Sequence, residues 1–215
     1  MADIFDEVSE ELKNDQLIKT WKKYSKLIIA SIILIVISLV SFQAYKNWNE
    51  KKMETTSKEY FEALENLEDQ NYTRSEELFL KNSKNHEGAY KMLSLFGLAE
   101  SNFKNNKIDE MILNYKTIYD DENIDSYYRN LSRILSVIKD NSGSFNEQMA
   151  LLEPIINSPS KLQILAAELE VILLIKFNKI KEAKKAIKNL LNRSDISLEQ
   201  KTRLELISKI YKNNE

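Results

Sequence analysis

Cysteine is absent from this 215-residue chain, which removes disulfide frameworks, thiolate nucleophiles and thiolate metal sites from consideration. That absence fits a reducing and an oxidising compartment equally, so it does not locate the protein. Three glycines and two prolines leave almost no punctuation for hairpins or tight strand turns. Gly88, Gly97 and Gly143 lie too far apart to build a phosphate-cradling loop. The single histidine, His86, sits in a polar run and has no second histidine or cysteine with which to hold a metal, so it reads as an exposed loop residue. Charge of one sign is missing too. The 31 Lys and Arg are interleaved with 33 Asp and Glu for a net charge of −2, and no global field recruits nucleic acid. Runs such as Asp120-Asp121-Glu122 lack the alternating ligands and central glycine of a calcium loop and read as solvated charge. These exclusions leave no catalytic residue, cofactor, metal or small-molecule substrate to assign.

What the chain does contain is one long apolar run. Nineteen residues from Leu27 to Tyr45 carry no charge, and as a helix they span about 28 Å, close to the thickness of a bilayer's hydrocarbon core. Lys19, Lys22, Lys23 and Lys26 flank it upstream, and Lys46, Lys51 and Lys52 downstream. Trp21, Tyr24, Tyr45 and Trp48 stand where amphipathic rings settle among headgroups. A cleaved signal peptide needs a shorter apolar stretch and small residues at the cut; Phe42-Gln43-Ala44 puts Phe where a small residue belongs. The run therefore predicts an uncleaved transmembrane helix. Four lysines upstream against three downstream favour a cytoplasmic N-terminus only slightly. Ser31, Ser38 and Ser41 share one face of the span and are candidates for contact with another membrane helix, although serines also bond to their own helix's carbonyls.

The remainder reads as all-α. Residues 1–26 form an amphipathic segment, with Asp3 as cap, Ile4, Val8, Leu12, Leu17 and Trp21 as its stripe, and a basic juxtamembrane flank. A docking helix and an inert lead-in both fit it. Residues 46–71 continue as a stalk helix with an apolar stripe beginning at Tyr60, and 72–215 form a repeat domain. Within the latter, periodicity predicts helices near 72–83, 88–105, 108–120, 126–140, 145–157, 160–177, 180–192 and 197–212. Asn- and Ser-rich connections separate them. Successive pairs start roughly 35 residues apart, the period of helix-turn-helix solenoids. Pro154 is expected to kink or end the helix that holds it.

Leu95 to Asn123 resembles the tetratricopeptide pattern most closely. Leu95 takes the bulky first-helix position and Leu98-Ala99 the Leu-small pair; Ile108-Asp109-Glu110 opens the second helix, and Tyr115 and Ile118 fill its inward positions. Small Ala99 admits the second helix closely, while Phe103 and Tyr115 fill the space beside it. Met111 stands where Ala is usual, and Asn106 where Gly is.

With the opening IFDEVSEELKNDQLIKTWKKY, the single span, Leu152-Glu153-Pro154 and AAELEVILLIKFNKIKEA, the layout resembles a bacterial membrane family. It is that of the YfgM-type tetratricopeptide proteins, ancillary subunits of the Sec translocon, in their alphaproteobacterial form. The resemblance implies an inner-membrane protein with a cytoplasmic N-terminus and a periplasmic superhelix of helix-turn-helix repeats. It also implies a non-enzymatic role, with the Sec translocon subunits and periplasmic chaperones as partners. An envelope scaffold serving cell division or the cell wall is the alternative, and a membrane-bound hydrolase would need an acid of raised pKa in a cleft. On the inner surface of such a superhelix the resemblance projects Phe96, Glu100, Phe103 and Lys104, and in the next repeat Tyr127, Tyr128, Arg129 and Arg133, as a candidate protein-binding groove. Phe103 and one of the two tyrosines are equally suited to the core.

Overall fold

A computed structural model of the chain describes residues 2–85 and 88–212, without the side chains of residues 2–16, Thr20, Ile28 and Lys212. His86 and the Ile4, Val8 and Leu12 part of the expected stripe lie outside that description. The chain divides into two compact units, Met1–Thr55 and Thr56–Glu215.

The first unit is helical throughout its described length. Its helix, α1, runs from Ala2 to Glu68. From Ile29 to Tyr45 every side chain is exposed. A helix apolar on all sides is stable either inside a protein core or in lipid, and no protein covers this one. Its Leu17–Glu68 part is long and apolar enough to cross a membrane. Ser31 donates from Oγ to the Leu27 carbonyl at 2.9 Å, which satisfies the hydroxyl within its own helix.

In the second unit the last turns of α1 pair with α2 (Tyr72–Asn85), and three further hairpins follow. They are α3 (Gly88–Lys104) with α4 (Ile108–Asp120), α5 (Ser126–Lys139) with α6 (Phe145–Ile156), and α7 (Gln163–Lys176) with α8 (Ile180–Leu191); α9 (Leu198–Lys212) comes last. Among the described residues every regular element is an α-helix. Second helices open at Tyr72, Ile108, Phe145 and Ile180, a spacing of 36, 37 and 35 residues. The sequence expectation of an all-α repeat fold holds, with helix limits within a few residues of those read from periodicity.

Three of the four hairpins turn in the same way. Gln70, Asn106 and Asn178 adopt φ of 64°, 58° and 57°, in the left-handed region. The next amide bonds back to the carbonyl five residues earlier: Asn71 to Asn66, Lys107 to Asn102 and Lys179 to Leu174, at 2.7–2.8 Å. This paired closure of a helix C-terminus satisfies carbonyls that would otherwise lack donors, and it usually employs glycine. Asn tolerates the left-handed region because its short polar side chain bonds locally, which explains Asn106 in the glycine position.

The α5–α6 turn is built differently. The Asp140 carboxylate accepts from the Ser142 amide and hydroxyl and from the Gly143 amide. Burial pushes that carboxyl up, but these hydrogen bonds outweigh it and hold its pKa below the usual range. Ser144 then caps α6 in a reciprocal box with Glu147. Pro154 lies inside the last turn of α6, where its missing amide proton leaves the Ala150 carbonyl without its usual helical donor, and the helix runs on through it to Ile156.

Packing stacks the hairpins into two rows. The first helices neighbour one another: Tyr60 of α1 meets Tyr90 of α3 at 5.7 Å, Glu100 of α3 bonds Lys139 of α5, and Glu168 of α7 bonds Arg203 of α9. Ile134 and Val137 of α5 share a core cluster with Ala166 and Leu173 of α7. Each second helix fits behind, between the first helix before it and the one after it. Small residues set the closest approaches. A Cβ on Gly97 of α3 would come within 2.5 Å of the buried Phe79 ring of α2. Ser75 and Ser101 meet at 2.8 Å between α2 and α3, and Ser75 donates to the Ala63 carbonyl or to its partner hydroxyl.

Candidate functional site

The seam between α3 and α5 holds most of the residues singled out from the sequence. At its C-terminal end, Lys139 donates to Glu100 at 2.5 Å, and its ammonium stands 4.1 Å above the Phe103 ring. Lys104 lies 3.9 Å from the other oxygen of Glu100. Phe103 and Phe96 are half-buried and packed on the cluster of Leu95, Ala99, Met111, Tyr115 and Ile118, with Phe96 edge-on to Tyr115 at 6.2 Å. Both rings therefore serve packing more than an open groove, while Glu100 and Lys104 keep contact with solvent. Burial, followed by the Glu100 charge, pushes the Tyr115 hydroxyl well above its ordinary pKa.

At the N-terminal end of the same seam a cleft of about 560 Å³ opens between Gly88, Lys91 and Met92 of α3, the α4–α5 connection, and Tyr128 of α5. Lys91 reaches Asp121 across it at 3.6 Å. Tyr127 and Tyr128 are both 40% exposed and meet edge-to-face at 5.5 Å. The structure thus brings Phe96, Glu100, Phe103 and Lys104 together and places Tyr128 at the far end of their seam. Arg133 turns away from it, toward α4, and Arg129 lies one helical turn before it on the same face of α5. Arg133 lies 5.1 Å from the Tyr119 ring and donates to Asn130 Oδ1 and to the Tyr119 carbonyl. In the span, Ser38 and Ser41 are exposed like their neighbours.

The open surface of the first helices includes residues that the sequence reading missed. On α5, Leu131 and Ile138 follow Tyr127, already a candidate from the sequence, at i+4 and i+11 on one stripe of a 3.6-residue helix, with Ile138 half-exposed. On α7, Leu165 and Ile172, seven residues apart, are exposed, while Leu169 between them is half-buried against the core. Leu93 on α3 and Leu198, Leu206 and Ile210 on α9 are exposed as well. By contrast the second helices expose only Leu80 and Leu113 among their large apolar side chains in the described residues. The available signal was surplus: α5 and α7 carry more apolar positions than one buried face uses.

One acid is perturbed upward outside this surface. Burial first, and the Glu153 charge second, raise the Glu170 carboxyl. It lines a second cleft of about 560 Å³ with Glu182, Lys185, Asn189 and Arg193, whose lining includes no aromatic ring. Glu182 brings a second carboxylate, and Lys185 and Arg193 bring cations, to the same lining. Among the described residues no group of three His, Cys, Asp or Glu side chains is disposed to hold a metal ion.

A family model described as "Tetratricopeptide repeat-like domain" matches residues 19–207. No curated protein and no solved structure matches the chain.

Proposed function

This chain belongs to the tetratricopeptide repeat-like family, and we propose that it is a non-enzymatic, membrane-tethered module whose first-helix row binds other proteins. One observation carries the reading: exposed apolar side chains concentrate on the first helices, from Leu93 through Tyr127 and Ile138 to Leu165 and Ile172. A solenoid that left this surface bare would bear a standing aggregation liability, whereas a partner segment laid along it converts the same area into affinity. The apolar run of α1 is the anchor. Tethering raises the local concentration of the repeat domain beside membrane partners, so modest contacts suffice.

In this reading the anchor crosses the bacterial inner membrane with the N-terminus cytoplasmic and the repeats periplasmic. Its partners are subunits of the Sec translocon and periplasmic chaperones, which the domain links. The whole-chain resemblance to YfgM-type proteins supports that assignment, as does the slight excess of lysine upstream of the span. Glu100, Lys104 and Tyr128 supply a polar rim to the apolar surface. Solubilising native membranes in a mild detergent, pulling down the full-length protein and identifying companions by mass spectrometry tests it. Sec channel subunits together with a membrane-bound chaperone support the assignment. Division or cell-wall proteins in their place replace it with an envelope scaffold.

A further inference from the structure

We propose that Arg129 and Arg133, on the side of α5 that faces α4, receive a carboxylate from an acidic segment of a protein partner. The two stand one helical turn apart, where side chains are neighbours and like charges repel. Both are half-buried. The Nε of Arg129 is buried without a hydrogen-bond partner, and Arg133 bonds only to neutral acceptors, the Asn130 amide oxygen and the Tyr119 carbonyl. Among the described residues neither guanidinium sits in an ion pair.

The acids nearby are engaged elsewhere. Asp120 accepts from Lys116 at 2.6 Å, Asp121 from Asn123 while it faces Lys91, and Asp125 caps α5 through the Tyr127 amide. Lys116 and Arg133 both approach the Tyr119 ring, so two cations share one quadrupole. Burial first, and then Arg129, lower the pKa of Arg133, against smaller opposing contributions from Tyr119 and the Asp120 carboxylate. The buried Nε is a cost to the free protein and lies out of reach of an incoming group, whereas the terminal nitrogens of Arg129 are not buried and are the atoms that an oxyanion would meet. Guanidinium pairs match the planar fork of a carboxylate. Phosphate shares that oxyanion chemistry, but the proposal rests on the reading of the chain as a protein-interaction module, and that favours an acidic polypeptide.

The full-length protein in detergent micelles is titrated against fluorescein-labelled hexaglutamate, with hexaglutamine and inorganic phosphate as comparisons. Hexaglutamate is expected to bind, hexaglutamine not to, and Arg129→Gln to weaken binding roughly tenfold without lowering Tm, since that guanidinium holds nothing in place. Arg129→Lys recovers part of the affinity, and Lys188→Gln, an exposed charge-matched control, changes little. Equal binding by wild type and Arg129→Gln, a fall in Tm on that substitution, or binding of phosphate in preference to hexaglutamate each overturn the proposal. Should hexaglutamate fail to bind while the partner still co-purifies, the anion site falls and the interaction module stands. Failure of co-purification removes the module itself.

Discussion

The second helices α4, α6 and α8 bury their apolar stripe between two neighbours and turn a polar back to solvent. The first helices α5, α7 and α9 bury one stripe and expose another. Met111, Tyr115 and Ile118 of α4 are almost wholly enclosed, and Leu113 is its one large apolar side chain left out. On α7, Ala166, Val171 and Leu174 are enclosed, yet Leu165 and Ile172 face solvent at 38% and 50% exposure. Both rows belong to one stack, so the difference is not one of stability. Folding needs a single buried face per helix, and an apolar second face without a neighbour is available for binding.

The comparison is broken most forcefully in the row that only packs. Tyr115→Ala empties an enclosed site between α3 and α4. It is expected to cost about 3–5 kcal/mol in urea unfolding of the full-length protein followed by circular dichroism. A smaller loss comes from Gly97→Ala, whose Cβ meets the Phe79 ring at 2.5 Å. Overpacking there costs roughly 1–3 kcal/mol by the same measurement, and a neutral result means that α2 and α3 separate easily.

Gains are expected at the turns. Gln70 holds φ of 64° with a side chain poorly suited to it. Gln70→Gly is expected to stabilise by about 0.5–1 kcal/mol, and Asn106→Gly by less, because Asn already tolerates the left-handed region. The smallest effect is pH-dependent. Glu170 has a raised pKa in the folded state, so the folded protein holds that proton more tightly than the unfolded chain. Its contribution to stability is fully present below the unfolded pKa of about 4.3 and is lost as pH rises through the folded value. Glu170→Gln is therefore expected to raise Tm at pH 7 and to match wild type near pH 3. A gain that persists at low pH would mean that charge is not the cause.

Much of this was legible in the chain itself. Helices in the repeat unit announce themselves through periodic apolar residues between Asn- and Ser-rich breaks, and Ala99, Tyr115 and Ile118 occupy the core in the way their pattern implies. The turns were partly legible, since Asn106 and Asn178 are among the few non-glycine residues at ease with positive φ. Gln70 carried no such signal. Side-chain direction at the candidate site was not legible. Phe96 and Phe103 lie near the boundary between buried and open faces of α3, and a shift of one position decides between them. Ile138 follows Val137, and Ile172 follows Val171, so the run VIL or SVI cannot say which member faces the neighbour. Nor does spacing reveal that Arg133 turns toward Tyr119, because that depends on the ring presented by α4.

The most direct test of the contrast between rows uses a photo-activatable side chain placed singly at Ile138, Ile172 or Leu113 of the full-length protein in native membranes. All three positions are at least half-exposed, so each tolerates the change within about 0.5 kcal/mol. If the first-helix row binds partners, irradiation yields discrete protein adducts from Ile138 and Ile172 and none from Leu113. Adducts of equal strength from Leu113, or from none of the three, contradict it.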